Sequence, residues 1–305
     1  IATAVYFLTL EETGSFWDCG EFIAAAYKLQ VGHPPGAALF LLIGRIFTMF
    51  AFGDVTKVAL MVNALSALAS SFTILFLFWS ITHLARKMVK VADENLTTSN
   101  YITIMGAGLV GAVAYTFSDS FWFSAVEGEV YAMSSFFTAV VFWAILKWEH
   151  YADEKHSDKW LILIAYLMGL SIGVHLLNLL TIPALAYVYY FKRYKITTQG
   201  LLLTAISGVA ILGFIQYGII QGFVKIGAHF DLLFVNTFGL PFWSGFLFFV
   251  ALLIGGVIFG LKYSVRKNLP TLNTAILCFS FILLGYASYG QVVIRSLANP
   301  PMDEN

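Results

Sequence analysis

Apolar residues run in long blocks, at 1–10, 37–52, 58–85, 101–117, 131–147, 160–191, 200–222, 240–262 and 271–296, separated by short polar stretches. A helix needs about 20 mostly apolar residues to cross the hydrocarbon core of a bilayer, so most of these blocks predict transmembrane helices. Two blocks need separate treatment. The one at 160–191 is too long for one helix and is interrupted by Gly173, Val174 and His175, with Pro183 further on, which predicts two short helices meeting near His175. The one at 37–52 is short and carries Arg45 near its middle, where a charge costs a few kcal/mol in lipid, so it is expected to lie along the interface. Ile1 to Leu10 would span only half a bilayer and is read as a first helix that lacks its start. The expected fold is therefore all-α: a polytopic membrane protein with about nine transmembrane helices plus one interfacial juxtamembrane helix. No linker or internal repeat divides 1–305, which reads as a single membrane domain: an outer loop with juxtamembrane helices at 11–57, the remaining spans at 58–296, and the start of an outer segment at 297–305.

Charge fixes the expected orientation. With 37–52 kept out of the membrane, twelve of the seventeen lysines and arginines fall on one side, in the groups Arg86 to Lys90, Lys147 to Lys159, Lys192 to Lys195 and Lys262 to Lys267. Basic residues collect on the cytoplasmic side, and eleven of the seventeen carboxylates fall on the other. Composition agrees with a membrane protein: 59% of residues are hydrophobic and 11% charged, with a mean hydropathy of +0.82. A net charge of zero gives no concentrated basic surface for nucleic acid. Cys19 and Cys278 form neither a disulfide framework nor a metal-ligand spacing, and both are read as plain thiols.

The residues able to do chemistry gather on the predicted outer side. Asp18 and Glu21 lie three apart, hence on one face if the segment is helical, and are framed by Phe16, Trp17 and Phe22. A carboxylate half sunk in the interface has its charged form desolvated and its pKa raised, which suits a general base near neutrality; a solvated acidic loop is the alternative reading. The helix former Phe22 to Leu29 must end at Gly32-His33-Pro34-Pro35-Gly36. Glu127 and Glu129, followed by Tyr131, open the block at 131–147, where acids at a helix N-terminus are also favoured by the helix dipole. His175 and Asn178 sit at the outer end of the broken pair, as cavity-lining groups or as hydrogen-bonding partners of a neighbouring helix. No second histidine stands at ligand spacing, so no metal site is predicted there. His229, Asp231 and Lys225 form a weaker group in a predicted outer loop at 223–239.

Trp17-Asp18-Cys19-Gly20-Glu21-Phe22-Ile23-Ala24-Ala25-Ala26 with Gly32-His33-Pro34-Pro35-Gly36 resembles the GT-C glycosyltransferases of the protein O-mannosyltransferase type. It resembles most closely the branch that holds multispanning Bacteroidetes proteins with a domain of unknown function and the eukaryotic plexin-type O-mannosyltransferase. Glu127 to Met133, Gly169 to Asn178 and Arg295 to Asn305 are similar to the bacterial members. The resemblance implies a GT-C-like fold and transfer of a sugar, mannose or a related hexose, from a polyprenyl-phosphate donor to a Ser/Thr hydroxyl of an exported protein. The expected place is the periplasmic face of a bacterial cytoplasmic membrane. Asp18 then falls on the family's catalytic acid with Glu21 as its partner, and His33, Glu127, Glu129, Tyr131, His175, Asn178 and Arg295 are expected to bind substrate. The lipid-linked donor is the one co-substrate the resemblance implies; a divalent metal is not indicated but stays open. Asp-Cys-Gly-Glu departs from the adjacent Asp-Glu of the classical enzymes, which leaves open which carboxylate is the base. A secondary transporter would place ionisable groups at the bilayer midplane, and a non-catalytic envelope scaffold would need none of these acids.

Overall fold

A computed structural model describes residues 1–304. The helices are α1 (Ala2–Leu8), α2 (Cys19–Lys28), α3 (Ala38–Thr48), α4 (Val58–Met88), α5 (Thr98–Thr116), α6 (Asp119–Val126), α7 (Val130–Tyr151), α8 (Lys159–Ile172), α9 (Ile182–Arg193), α10 (Thr198–Gly213), α11 (Phe223–Phe238), α12 (Ser244–Arg266), α13 (Pro270–Tyr286) and α14 (Gly290–Ser296). No strand ladder forms among the described residues; one isolated parallel bridge joins Val31 and Asp303. The protein is all-α, as predicted.

Five helical stretches are long and apolar enough to cross a membrane, or six if α5 and α6, bent by 66° at their junction, count as one. The expected nine also included α1, α8 and α9. These have 7, 14 and 12 residues, shorter than the roughly 20 that a perpendicular crossing needs. The break near His175 is present: α8 stops at Ile172, His175 follows in a turn, and a 3-10 segment at Leu176–Thr181 leads into α9.

The predicted outer loop at 223–239 is instead helical. Helices α10 and α11 run together as one 41-residue helix, Thr198–Phe238, through a π-helical segment at Phe214–Gly222. At 1.5 Å per residue it is about 60 Å long, twice the hydrocarbon thickness. The polar residues that suggested a loop are isolated among Phe230, Leu232, Leu233, Phe234 and Val235, which continue the apolar pattern. Asp231 accepts the backbone N–H groups of Trp243, Gly245 and Phe246 at 3.2, 3.1 and 3.4 Å. It thus satisfies amides at the start of α12. His229 Nδ1 lies 2.6 Å from the Lys225 carbonyl within its own helix, so the predicted group of three is a helix face and a cap.

The chain forms two compact units, one of Ile1–Lys147, Leu170–Asn178 and the residues from Ala287 onward, the other of Trp148–Gly169 and Leu179–Tyr286. In the second, Lys192 and Arg193 pair with Asp153 at 2.7 and 3.5 Å, and the Thr274 hydroxyl donates to Asp158 at 2.6 Å. In the first, α1 packs on α4 to α6, with Tyr6 fully buried and its hydroxyl donating to the Thr116 carbonyl at 3.0 Å. Helix α3 is anchored at its start, where the Gly173 carbonyl accepts from the N–H groups of Leu39 and Phe40 at 2.7 and 3.2 Å. That ties the turn bearing His175 to the end of the His33 loop. Arg45 lies on α3 with its guanidinium donating to the Tyr27 carbonyl at 2.5 Å and over the Tyr27 ring at 5.6 Å.

Candidate active site

All the sequence-predicted site residues belong to the first unit. The loop from α1 to α2 is held from beneath by Asn63 of α4, fully buried, whose amide donates to the carbonyls of Glu11 and Thr13 at 2.7 and 2.9 Å. The Glu11 N–H is bound by the Val126 carbonyl at 3.1 Å. The loop ends at Phe16 and Trp17, 76% and 89% exposed, and at Asp18, the N-cap of α2. An aspartate here would ordinarily bond an amide of the first turn. Asp18 makes no side-chain cap bond, and its carboxylate lines a cleft with Phe22, His33, Glu129, Tyr131 and His175.

Glu21, one turn on, is engaged elsewhere. Its carboxylate accepts the His33 backbone N–H at 2.8 Å and lies 2.9 Å from His33 Nδ1. Gly32 makes room for this approach, since a Cβ there would stand 2.7 Å from Glu21 Oε1. The hydrogen bond to Glu21, and then the charges of Glu21, Asp18 and Glu304, push the His33 pKa above its usual value against the pull of burial. Nε2 of the same ring lies 3.9 Å from Asp18 Oδ2.

The second wall of the cleft comes from the turn between α6 and α7. Glu127 and Glu129 are 4% and 3% exposed, far more buried than carboxylates ordinarily are. Burial pushes Glu129 up to about 7, helped by the charges of Glu127 and Asp18 and opposed by the Val130 N–H. Burial raises Glu127 too, partly offset by a bond to the Ser15 side chain, and its Oε2 makes no hydrogen bond. Between them Gly128 lets the turn close on α2 and α4: a Cβ would meet Asn63 Oδ1 at 2.9 Å and Ile23 at 3.2 Å. Cys19 is fully enclosed. Its thiol, bonded to backbone at Ser15 and Gly128, is pushed up by burial, which makes it inert as a nucleophile.

His175 closes the cleft, its ring 5.4 Å from that of Tyr131. Its Nδ1 accepts the Leu177 N–H at 3.2 Å, which leaves the ring proton on Nε2. Asn178 lies away from the cleft and fully buried, its Oδ1 accepting the Thr138 hydroxyl at 2.9 Å. Arg295 is also elsewhere: its Nε donates to the Leu29 carbonyl at 2.5 Å and Nη2 to the Lys28 carbonyl at 3.4 Å, so it caps the C-terminus of α2. Beside it the chain after α14 pairs with the His33 loop, Val31 N–H to the Met302 carbonyl at 3.1 Å and Glu304 N–H to the Val31 carbonyl at 3.2 Å. Sequence reading missed Asn63 and the Glu21–His33 pair. An asparagine inside an apolar block was the one signal for the former.

Asp18, Glu21 and His33 offer ligand atoms within 4.8 Å of one another. The Glu21 carboxylate also accepts the His33 N–H and faces Nδ1, and Asp18 with His33 Nε2 completes the set of three side chains that could hold a cation.

The buried Glu129 carboxyl sets a pH dependence. A carboxyl whose folded pKa of about 7 lies above its ordinary 4.5 binds its proton more tightly in the folded protein, so stability falls as pH rises through that interval. His33, raised in the folded state, loses its stabilising contribution as pH rises through its folded pKa, in the same direction. The thermal midpoint should therefore drop between about pH 5 and 8. Glu129→Gln should lessen the drop and raise the midpoint at pH 8. An unchanged slope in the variant would show that Glu129 is ionised throughout.

These features define an all-α polytopic membrane protein with a cleft of carboxylates and histidines built on a short helix and the start of a spanning helix. Residues 18–198 match the family described as the Protein O-mannosyl-transferase TMEM260 N-terminal domain, more than half of the chain, and the chain belongs to that family. It is 25% identical over 194 residues to the Protein O-mannosyl-transferase tmem260 of Dictyostelium discoideum, a match covering 62% of this chain and 22% of that protein. It is 28% identical over 170 residues to the Protein O-mannosyl-transferase TMEM260 of Mus musculus, covering 55% and 21%. The chain thus spans about a fifth of the length of the curated relatives it matches. No solved structure matches.

Proposed function

We propose that this chain is the membrane-embedded catalytic part of an inverting protein O-mannosyltransferase. It takes mannose from a polyprenyl-phosphate donor at the outer face of a bacterial cytoplasmic membrane and transfers it to a Ser or Thr hydroxyl of an exported protein. The observation that carries this reading is the uncommitted Asp18 carboxylate at the N-cap of α2, facing a cleft in a chain of the O-mannosyltransferase family. Exposed Phe16 and Trp17 beside it are suited to the lipid headgroup level, where a lipid-linked donor presents its sugar.

In this reading Asp18 removes the hydroxyl proton as the acceptor oxygen attacks the anomeric carbon. The bond from that carbon to the phosphate oxygen breaks, and the lipid phosphate leaves with the electron pair. Because phosphate is a stable anion, no general acid has to protonate it. A single displacement inverts the anomeric configuration. Glu129 lines the wall opposite α2, while Glu127 is buried outside the cleft lining, and Tyr131 and His175 supply an aromatic face and a ring N–H for sugar hydroxyls.

Sealed right-side-out vesicles test donor, acceptor and orientation together. With labelled polyprenyl-phosphate mannose in the bilayer and an impermeant Ser/Thr peptide outside, label should enter the peptide. Label in the peptide only with inside-out vesicles would reverse the orientation. No label in either would overturn the reading.

A further inference from the structure

Glu21 and His33 are twelve residues apart and make three contacts: the His33 N–H at 2.8 Å, and Nδ1 at 3.0 and 2.9 Å from the two carboxylate oxygens. The ring is also packed against Phe22, with centroids 5.9 Å apart. Its orientation is therefore set from two sides, and what that orientation presents to the cleft is Nε2, 3.9 Å from Asp18.

We propose that His33 is the second proton-handling residue of the transfer, taking onto Nε2 the proton that Asp18 removes from the acceptor, with Glu21 holding the resulting imidazolium through Nδ1. This rests on the transferase reading above. The acceptor O–H bond breaks, its oxygen bonds the anomeric carbon, and the carbon-to-phosphate-oxygen bond breaks with its electrons on the phosphate. The proton passes to the Asp18 carboxylate, then to His33 Nε2, and finally to water, which restores both residues. A separation of 3.9 Å exceeds a direct hydrogen bond, so a bridging water or a small closure completes the transfer.

The charges around the ring support the role. Asp18 and Glu21 face it from α2, Glu304 from the segment paired with Val31, and Glu129, Tyr131 and His175 across the cleft. The three carboxylates Glu21, Asp18 and Glu304 favour the cationic ring after proton transfer. A carboxylate behind one ring nitrogen with the other aimed at the reacting group is the arrangement by which histidine is oriented as a base.

The experiment is the pH profile of kcat/KM for mannose transfer from polyprenyl-phosphate mannose to a Ser/Thr peptide, for the purified wild-type protein, His33→Asn and Glu21→Gln. The asparagine amide retains a donor where Nδ1 stands, so it can hold Glu21 while Nε2 is lost; the thermal midpoint reports that the fold survives. Wild-type activity should rise with pH as His33 loses its resting proton. Glu21→Gln should shift that limb to lower pH by about one unit, because the anion that raises His33 is gone. His33→Asn should lose the limb and fall about tenfold. Glu129 titrates in the same range but is not bonded to Glu21 among the described residues, so a limb that belonged to it would stay in place in Glu21→Gln. A limb that stays in both variants, or a rate lowered equally at every pH, would make the pair purely structural and overturn the proposal while leaving an Asp18-dependent transferase intact. No transfer by the wild type overturns the parent reading, and this one with it.

Discussion

Asp18→Asn should lower the turnover of mannose transfer by about 100-fold or more, the usual loss when a general base is removed. Donor binding, read by the concentration of polyprenyl-phosphate mannose at half-maximal rate, should stay close to wild type. Asparagine keeps the size and most of the hydrogen bonding of aspartate but not its basicity. No structural function is lost with the charge, because the Asp18 side chain makes no cap bond to α2 and its nearest basic neighbour, His33 Nε2, is 3.9 Å away. Glu21→Gln is the informative comparison. Its carboxylate is bonded to His33, so the substitution should cost less and act through the loop. If Asp18→Asn retained transfer while Glu21→Gln abolished it, the two roles would be exchanged. If both stayed active, the cleft would not be the place of reaction.

Asn63→Ala should give the largest loss of stability among changes that touch no substrate. The amide supports two carbonyls at once, Glu11 and Thr13, in the loop that delivers Asp18, and the side chain is fully buried. Losing both bonds and leaving a cavity beneath the loop should cost about 1–3 kcal/mol. The thermal midpoint in detergent should fall, and transfer should fall further than stability alone explains, because the loop is displaced. Asn63→Asp keeps the volume but sets an acceptor against two acceptors, so it should be at least as harmful. A wild-type midpoint and rate in both variants would show that the loop is positioned from elsewhere, for example through the bond between Glu11 and Val126.

What the amino-acid sequence determined by itself is local. Hydropathy over about 20 residues marks spanning helices because the bilayer imposes a length. Helix α2 follows from the helix-forming run Phe22 to Leu29, although it already ends at Lys28 with Leu29 left-handed, ahead of Gly32 and the two prolines, and it begins earlier, with Asp18 as its N-cap. The break at Gly173 to His175 is legible for the same reason. The segment 223–239, expected as a loop, is helical because Lys225, His229 and Asp231 are isolated within an apolar pattern that carries α11 on from α10.

Only the tertiary structure decided what the polar side chains do. Glu129 meets Asp18 across more than a hundred residues of chain because α4, α6 and α7 bring the Glu127–Glu129 turn over α2. Arg295, expected to bind substrate, caps α2, and Asn178, expected to line a cavity or to bond a neighbouring helix, bonds Thr138 of α7. Glu21 was read as the partner of Asp18 and is bonded to His33. Each of these outcomes depends on which distant backbone or side chain arrives within hydrogen-bonding distance. In a low-dielectric interior a buried polar group without such a partner is costly, and neither periodicity nor spacing along the chain specifies which partner it meets.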